Sequence, residues 1–347
     1  MKSTAGNASE NMYELRYRLE SQNDGTDMTD RIEQMLRAYG TCLLGSGVYV
    51  VSGVNMPDHS TLMGMGDCTK IILKEDISSG YAVRMGSFCC VKNLSVLGSR
   101  APIALPDTVG ERHGILFAGT ATTKDWMGPD LKLNAILEGC RISGFTGGGL
   151  TCVDTGYYVR ASLTASNCHI INCGAGINIS HFSEYHEFTN MLCSENLYGC
   201  INNGGNNVFV NCGFNANRTA FVIDNAEGQS CNNSHGSAIG CTFNHSGDNK
   251  GIGIMILGAK NGYVFSGCQM FYSKIILENA EGITFNAMNF SKNMEISVKG
   301  GGLILFTDSV FSKRPTSVSV TDNSLVKFIN CFTREGEEIK AQMGISS

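Results

Sequence analysis

The 347-residue chain contains no run of eighteen apolar residues, so no membrane-spanning helix is expected. It has no C-x-x-C pair among its fifteen cysteines, which removes the close spacing a zinc knuckle needs, and no metal or other cofactor is expected. Only five prolines are present, too few for a low-complexity or collagen-like chain. Charged residues make up 16% and the net charge is −5, with no basic stretch to serve as a nucleic-acid footprint. No charged-then-apolar leader opens the sequence. An odd number of cysteines without a leader leads us to expect reduced thiols in a protein made in a bacterial cytoplasm.

What is abundant is repetition. From Leu133 to Thr333 one phrase recurs: alternating apolar residues, a small residue, then an apolar residue. It reads Ile136-Leu137-Glu138-Gly139-Cys140-Arg141-Ile142, then Ser166-Asn167-Cys168-His169-Ile170 and Val210-Asn211-Cys212-Gly213-Phe214. Later copies centre on Cys241, Cys268, Met288, Ser309 and Cys331, with Cys193 placed in the slot between Cys168 and Cys212. The shortest steps, Cys268 to Met288 and Met288 to Ser309, are 20 and 21 residues. Such a period holds strands and turns and no helix, the mark of stacked units. The alternation in Gly251-Ile252-Gly253-Ile254-Met255-Ile256 has the period of a strand. The expected fold is all-β: a right-handed, single-stranded parallel β-helix, with the small residues stacked in a column at an inward turn.

Ahead of the repeats, Ile32, Met35, Leu36 and Tyr39 recur at helical spacing, with Asp27 or Thr29 as cap and Gly40 as stop. This helix is expected to close one end of the coil, where bare strand edges invite aggregation. Residues 1–23 are helix-compatible, with Met12, Leu15 and Leu19 on one face. Boundaries follow: 1–23 an N-terminal helical or attachment segment, 24–40 the capping helix, 41–335 the β-helix with 98–132 inserted as a loop region, 336–347 a tail.

Five short phrases carry a resemblance. Asp24-Gly25-Thr26-Asp27-Met28-Thr29 precedes the helix, and Gly47-Val48-Tyr49-Val50-Val51 follows it. Then come Met56-Pro57-Asp58-His59-Ser60-Thr61-Leu62, Gly64-Met65-Gly66 and Thr69-Lys70-Ile71-Ile72-Leu73. Over residues 24–97 the chain resembles the pectate-lyase-like β-helix superfamily, within it the tailspikes of phages and prophages. The resemblance implies a homotrimer in a virion tail that contacts a host surface polysaccharide. Residues 1–23 are then expected to join other tail proteins, with no membrane insertion. The superfamily includes lyases, hydrolases and non-catalytic binders, so the fold alone does not decide activity. The polygalacturonase set of N-x-D, D-D, G-H-G and R-x-K is missing.

Glycan cleavage by hydrolysis uses two carboxylates, and elimination uses a base beside a neutralised uronate. The richest stretch is His181-Phe182-Ser183-Glu184-Tyr185-His186-Glu187, after the strand-like Gly176–Ser180. Glu184, Glu187 and His186 are candidate acid–base residues, with His181 beside them. Asp154 is a fourth candidate, and Asp224 with Glu227 a further cluster. Trp126, Tyr157, Tyr158, Arg160 and Tyr185 are candidate sugar contacts, because flat aromatic faces suit the C–H side of a pyranose. The expected function is polysaccharide binding by a tailspike-like virion protein. A depolymerase (lyase or glycoside hydrolase) and a purely structural virion component are the alternatives.

Overall fold

The computed structural model describes residues 16–99, 104–119, 133–153, 161–224, 235–244, 251–321 and 325–340. The chain is a right-handed parallel β-helix. A regular coil holds three strands, as in Leu133–Glu138, Arg141–Ser143 and Gly148–Cys152. Each pairs in parallel with its counterpart in the next coil: Ile136 with Thr164, Ile142 with Ile170, and Leu150 with Ile177. Among the described residues, first and second strands form one sheet of 23 and third strands another of 11. Parallel pairing places neighbouring coils about 4.8 Å apart, so inward side chains stack like over like. Phe188 lies on Phe209 with ring centroids 4.7 Å apart. Phe265, Phe285, Phe306 and Phe328 continue the ladder at 5.2, 4.7 and 4.9 Å.

The turn between first and second strand explains the repeated phrase. Its leading residue is left-handed in ten successive coils: Asn93, Gly139, Asn167, Asn190, Asn211, Gly240, Gly267, Ala287, Asp308 and Asn330. Eight of the ten are Asn or Gly, the residues that adopt this backbone most cheaply. The small residue follows it inward. Its thiol donates to the carbonyl two residues back, as Cys168 does to Ser166 O (3.2 Å) and Cys268 to Ser266 O (3.4 Å). Its sulfur also accepts from the coil before: Cys140 N–H from 3.4 Å on Cys168 Sγ, Cys241 N–H from 3.3 Å on Cys268 Sγ. Ser309 Oγ accepts likewise from Met288 N–H at 3.1 Å. The column is therefore a hydrogen-bonding device as well as a packing one.

One slot is reassigned. His169 pairs with Leu192, so the residue opposite Cys168 is Met191. Cys193 lies two residues on, buried between Ile170 and Phe214. The cysteine pattern misled here because inward positions of the second strand also accept small apolar residues.

The helix spans Thr29–Tyr39 and buries Ile32 and Leu36 on the first coil. Asp27 accepts from Thr29 N–H at 2.9 Å, although the capping position itself is Met28. Gly40 closes the helix in left-handed backbone, its N–H donating to Leu36 O. Tyr39 is exposed rather than on the buried face. Of the N-terminal segment, residues 1–15 lie outside the described residues. Arg18–Leu19 is a strand pairing with Leu43 and Leu44, with Leu19 buried, so the helical spacing that included Leu19 does not hold there. Within the stretch 98–132 the chain returns to the sheet, as the run His113-Gly114-Ile115-Leu116-Phe117 suggests. Arg112–Phe117 is a full third strand between Gly80–Met85 and Gly148–Cys152. The near end of the C-terminal tail turns back: Ile339 N–H donates to Cys331 O at 2.8 Å, and Ile339 is buried.

Candidate functional site

The frame gives one edge a special character. The corner where each third strand passes to the first strand of the next coil carries connections of unequal length. Among the described strands they are residues 56–60, 86–89, 118–132, 153–160, 180–186, 203–206, 225–235, 258–262, 281–282, 302 and 322–324. The candidates Trp126, Asp154, Tyr157, Tyr158 and Arg160, and Glu227, fall on three of these connections but lie outside the described residues. Glu184, Tyr185 and His186 fall on a fourth, which the structure describes.

Connection 180–186 is pinned from below and above. Asn207, fully buried in the next coil, accepts from His186 N–H at 2.9 Å and donates to Ser183 O at 3.3 Å. Tyr185 N–H donates to Gly205 O at 3.2 Å. His186 has 0% exposure, and its Nδ1 accepts from Leu163 N–H at 3.0 Å. Its Nε2 therefore carries the proton and faces Ser183 Oγ at 2.8 Å. Burial drives its pKa down to about 3, so the ring is neutral across the physiological range. His186 is a strut of the core and has no surface from which to serve as acid or base. The heptad of polar residues around it concealed this, because the sequence does not show which side chain turns inward.

Glu184 stands differently. Its side chain is half-buried, and burial, the largest influence, lifts its carboxyl above the ordinary glutamate value. The imidazoles of His235 and His181 and the amide of Asn206 pull the other way without cancelling that rise. Glu184 Oε1, His181 Nδ1 and His235 Nδ1 are all buried, and none has a hydrogen-bond partner among the described residues. Three buried polar atoms left open around one carboxyl form an arrangement that a polar ligand completes. His235 belongs to the site through register alone: Asn207 pairs with Gly236, which sets His235 over Asn206 and, one coil earlier, Tyr185. His235 is not among the sequence candidates; 51 residues from Glu184, it is recruited only by the coil register.

Two bulky residues of this connection are left-handed, Phe182 at φ 58° and Tyr185 at φ 63°. That backbone costs a side chain with a Cβ about 1–2 kcal/mol. Tyr185 is 51% exposed, so its ring faces outward beside the cluster. Glu187 is exposed at the start of the next strand, level with Thr164 and Val208. Asp224 is exposed at the end of Thr219–Asp224, its N–H donating to Asn203 Oδ1. Among the described residues no group of three or more His, Cys, Asp or Glu is arranged to hold a metal ion.

No family model matches the chain, and no curated protein sequence does. Solved structures do. The A-module of mannuronan C-5 epimerase AlgE4 from Azotobacter vinelandii aligns over 90% of this chain and 93% of its own, with TM-score 0.63 and 13% identity. Full-length tailspike protein 2 from Escherichia coli O157:H7 bacteriophage CAB120 aligns over 91% of this chain, with TM-score 0.59 and 13% identity; the chain spans 42% of that protein. Tailspike gp49 of Acinetobacter baumannii bacteriophage Fri1, a capsular polysaccharide depolymerase, aligns over 96% of this chain and 64% of its own, with TM-score 0.55 and 14% identity. At these identities the likeness is one of fold: the chain shares the parallel β-helix of phage tailspikes and of polysaccharide-modifying enzymes.

Proposed function

We propose that the chain binds a host cell-surface polysaccharide along the corner between third and first strands, as part of a trimeric, tailspike-like virion protein. The observation that carries this is connection 180–186, which sets the exposed ring of Tyr185 beside the half-buried Glu184 on one edge of a rigid coil. Binding residues concentrate on such connections because the scaffold fixes them while leaving their length free. Tyr185 presents an exposed ring there, and Trp126, Tyr157, Tyr158 and Arg160 stay candidate sugar contacts from their residue types. The fold shared with phage tailspikes supports the setting.

A second reading, cleavage of the bound chain, is favoured by the Glu184 cluster. A carboxyl whose affinity for its proton burial has raised is better suited than an ordinary glutamate to give that proton to a departing glycosidic oxygen. An unpartnered imidazole, His181 or His235, is suited to take one. In elimination that proton leaves the carbon beside a uronate carboxylate. Its bonding pair becomes the new double bond as the glycosidic C–O bond breaks. In hydrolysis the proton comes from the attacking water. Asp154 and Glu187 remain candidates for a second carboxylate.

Incubation with capsular and teichoic glycans, read by array binding, reducing ends and absorbance at about 235 nm, distinguishes the readings. Binding with neither product signal supports recognition alone. Reducing ends without the ultraviolet band indicate hydrolysis, and both together indicate elimination. Where product forms, Glu184→Gln is expected to slow it by about 10²–10⁴-fold and leave binding intact. Unchanged product formation removes Glu184 from the chemistry. A trimer that binds no glycan favours the structural alternative.

A further inference from the structure

The column through Tyr185 continues down the corner. Ser162 pairs with Asn134, and carrying the neighbouring pairs Thr164–Glu187, Cys90–Ile136 and Thr61–Cys90 back by two residues sets Tyr185, Phe88 and His59 on the same line. At its lower end the rings of His59 and Phe88 stack face to face, with centroids 4.4 Å apart and planes 12° from parallel. His59 is exposed and Phe88 is 36% exposed, so the pair is open to solvent rather than part of the core. Both residues are left-handed, at φ 63° and 58°.

That backbone is informative by contrast with the opposite turn. There the same left-handed demand is met in eight of ten coils by Asn or Gly. Here His59, Phe88 and Tyr185 meet it with large rings, each at a cost of about 1–2 kcal/mol. A packing role does not account for this, because the rings are at least partly outside the core. Retention of costly, exposed, flat rings on a single line points outward, to a flat ligand surface that repeats along the same line.

We propose that His59 and Phe88 form a sugar-stacking subsite. One apolar pyranose face would lie on the exposed pair, while another ring of the same glycan sits at Tyr185 beside Glu184. The inference rests on the polysaccharide-binding reading above. Phe88 and Tyr185 are three coils apart, about 14 Å at the parallel-strand spacing. A glycan spanning both would run along the coil axis, and fragments shorter than that distance would reach only one.

The test uses purified capsular and teichoic polysaccharides and size-fractionated products of their partial acid hydrolysis, with His59→Asn, Phe88→Asn and the double variant. Asparagine accepts left-handed backbone, so the variants should melt at or above the parent temperature. For fragments spanning both positions the double variant should lose about tenfold in affinity, and for shorter fragments bound at Tyr185 nothing. Equal affinity of parent and variants at every length overturns the subsite and leaves the functional reading standing. So does a fall in melting temperature with long-fragment affinity unchanged, which would assign the rings to packing. Equal losses for short and long fragments overturn it too, since they report a disturbed fold. A parent chain that binds none of the glycans overturns the functional reading and the subsite with it.

Discussion

His186 and Glu184 are two residues apart and have opposite electrostatic fates. The frame turns one inward onto Leu163 and Asn207 and holds the other at a half-buried edge between two imidazoles. Burial of neutral His186 has a measurable consequence. Its folded pKa, about 3, lies below the ordinary 6.5, so the unfolded chain binds a proton that the folded chain refuses. Stability is therefore full above pH 6.5 and falls as pH drops. By pH 5 the loss from this group is about 2 kcal/mol. His186→Phe should remove that slope between pH 6.5 and 5 in urea-unfolding curves, while lowering stability at pH 7 by about 1–3 kcal/mol through the orphaned Leu163 N–H. An unchanged slope would show that the imidazole is hydrated. At this scale the sequence was only half legible. It marked the segment rich in His and Glu, but the direction of each side chain depends on the register of the neighbouring coil.

The coil turn was the most legible element, because its chemistry repeats. Asn or Gly followed by Cys is a local signature, and each copy restates the same left-handed step and the same inward donor. Where the pattern slipped, at Cys193, the cause was a second inward position three residues after Asn190. The helix was legible in extent because Gly40 ends it. Leu19 was misread because two apolar residues at helical spacing also suit a short edge strand. Arg112–Phe117 was legible in the apolar run Ile115-Leu116-Phe117, in spite of the prolines that flank it in sequence. The turn also permits a paired prediction. Gly267 has φ 62° and nothing within 4 Å of where a Cβ would stand, so Gly267→Ala adds backbone strain without a clash. It should destabilise by about 1 kcal/mol, and Ala287→Gly, at the same position one coil on with φ 50°, should stabilise by a similar amount. Melting temperatures that move together, or not at all, would refute the assignment of strain to that turn.

Across the whole molecule the thiols form a record of the fold. Of the fourteen cysteines described, twelve are buried, Cys90 is half-buried and Cys68 is exposed. Burial pushes the Cys42 and Cys173 thiols up to about 12, which suppresses the reactive thiolate. Brief iodoacetamide treatment of the native protein should therefore mark Cys68 first and Cys90 slowly, by peptide mass spectrometry. The remaining described cysteines should react only after denaturation. Rapid native labelling of Cys168, Cys212 or Cys241 would place their column outside the coil.

The shortest steps of the column, 20 and 21 residues, close a coil with almost nothing spare. Every longer step is that minimum plus an insert, and at coil 175–189 the extra residues sit on the corner. The corner thus works as a row of sockets. A segment such as 181–185 can be exchanged for another of different length, while Asn207 and the left-handed Asn–Gly file keep the register. Target preference becomes a modular property, open to grafting one socket at a time.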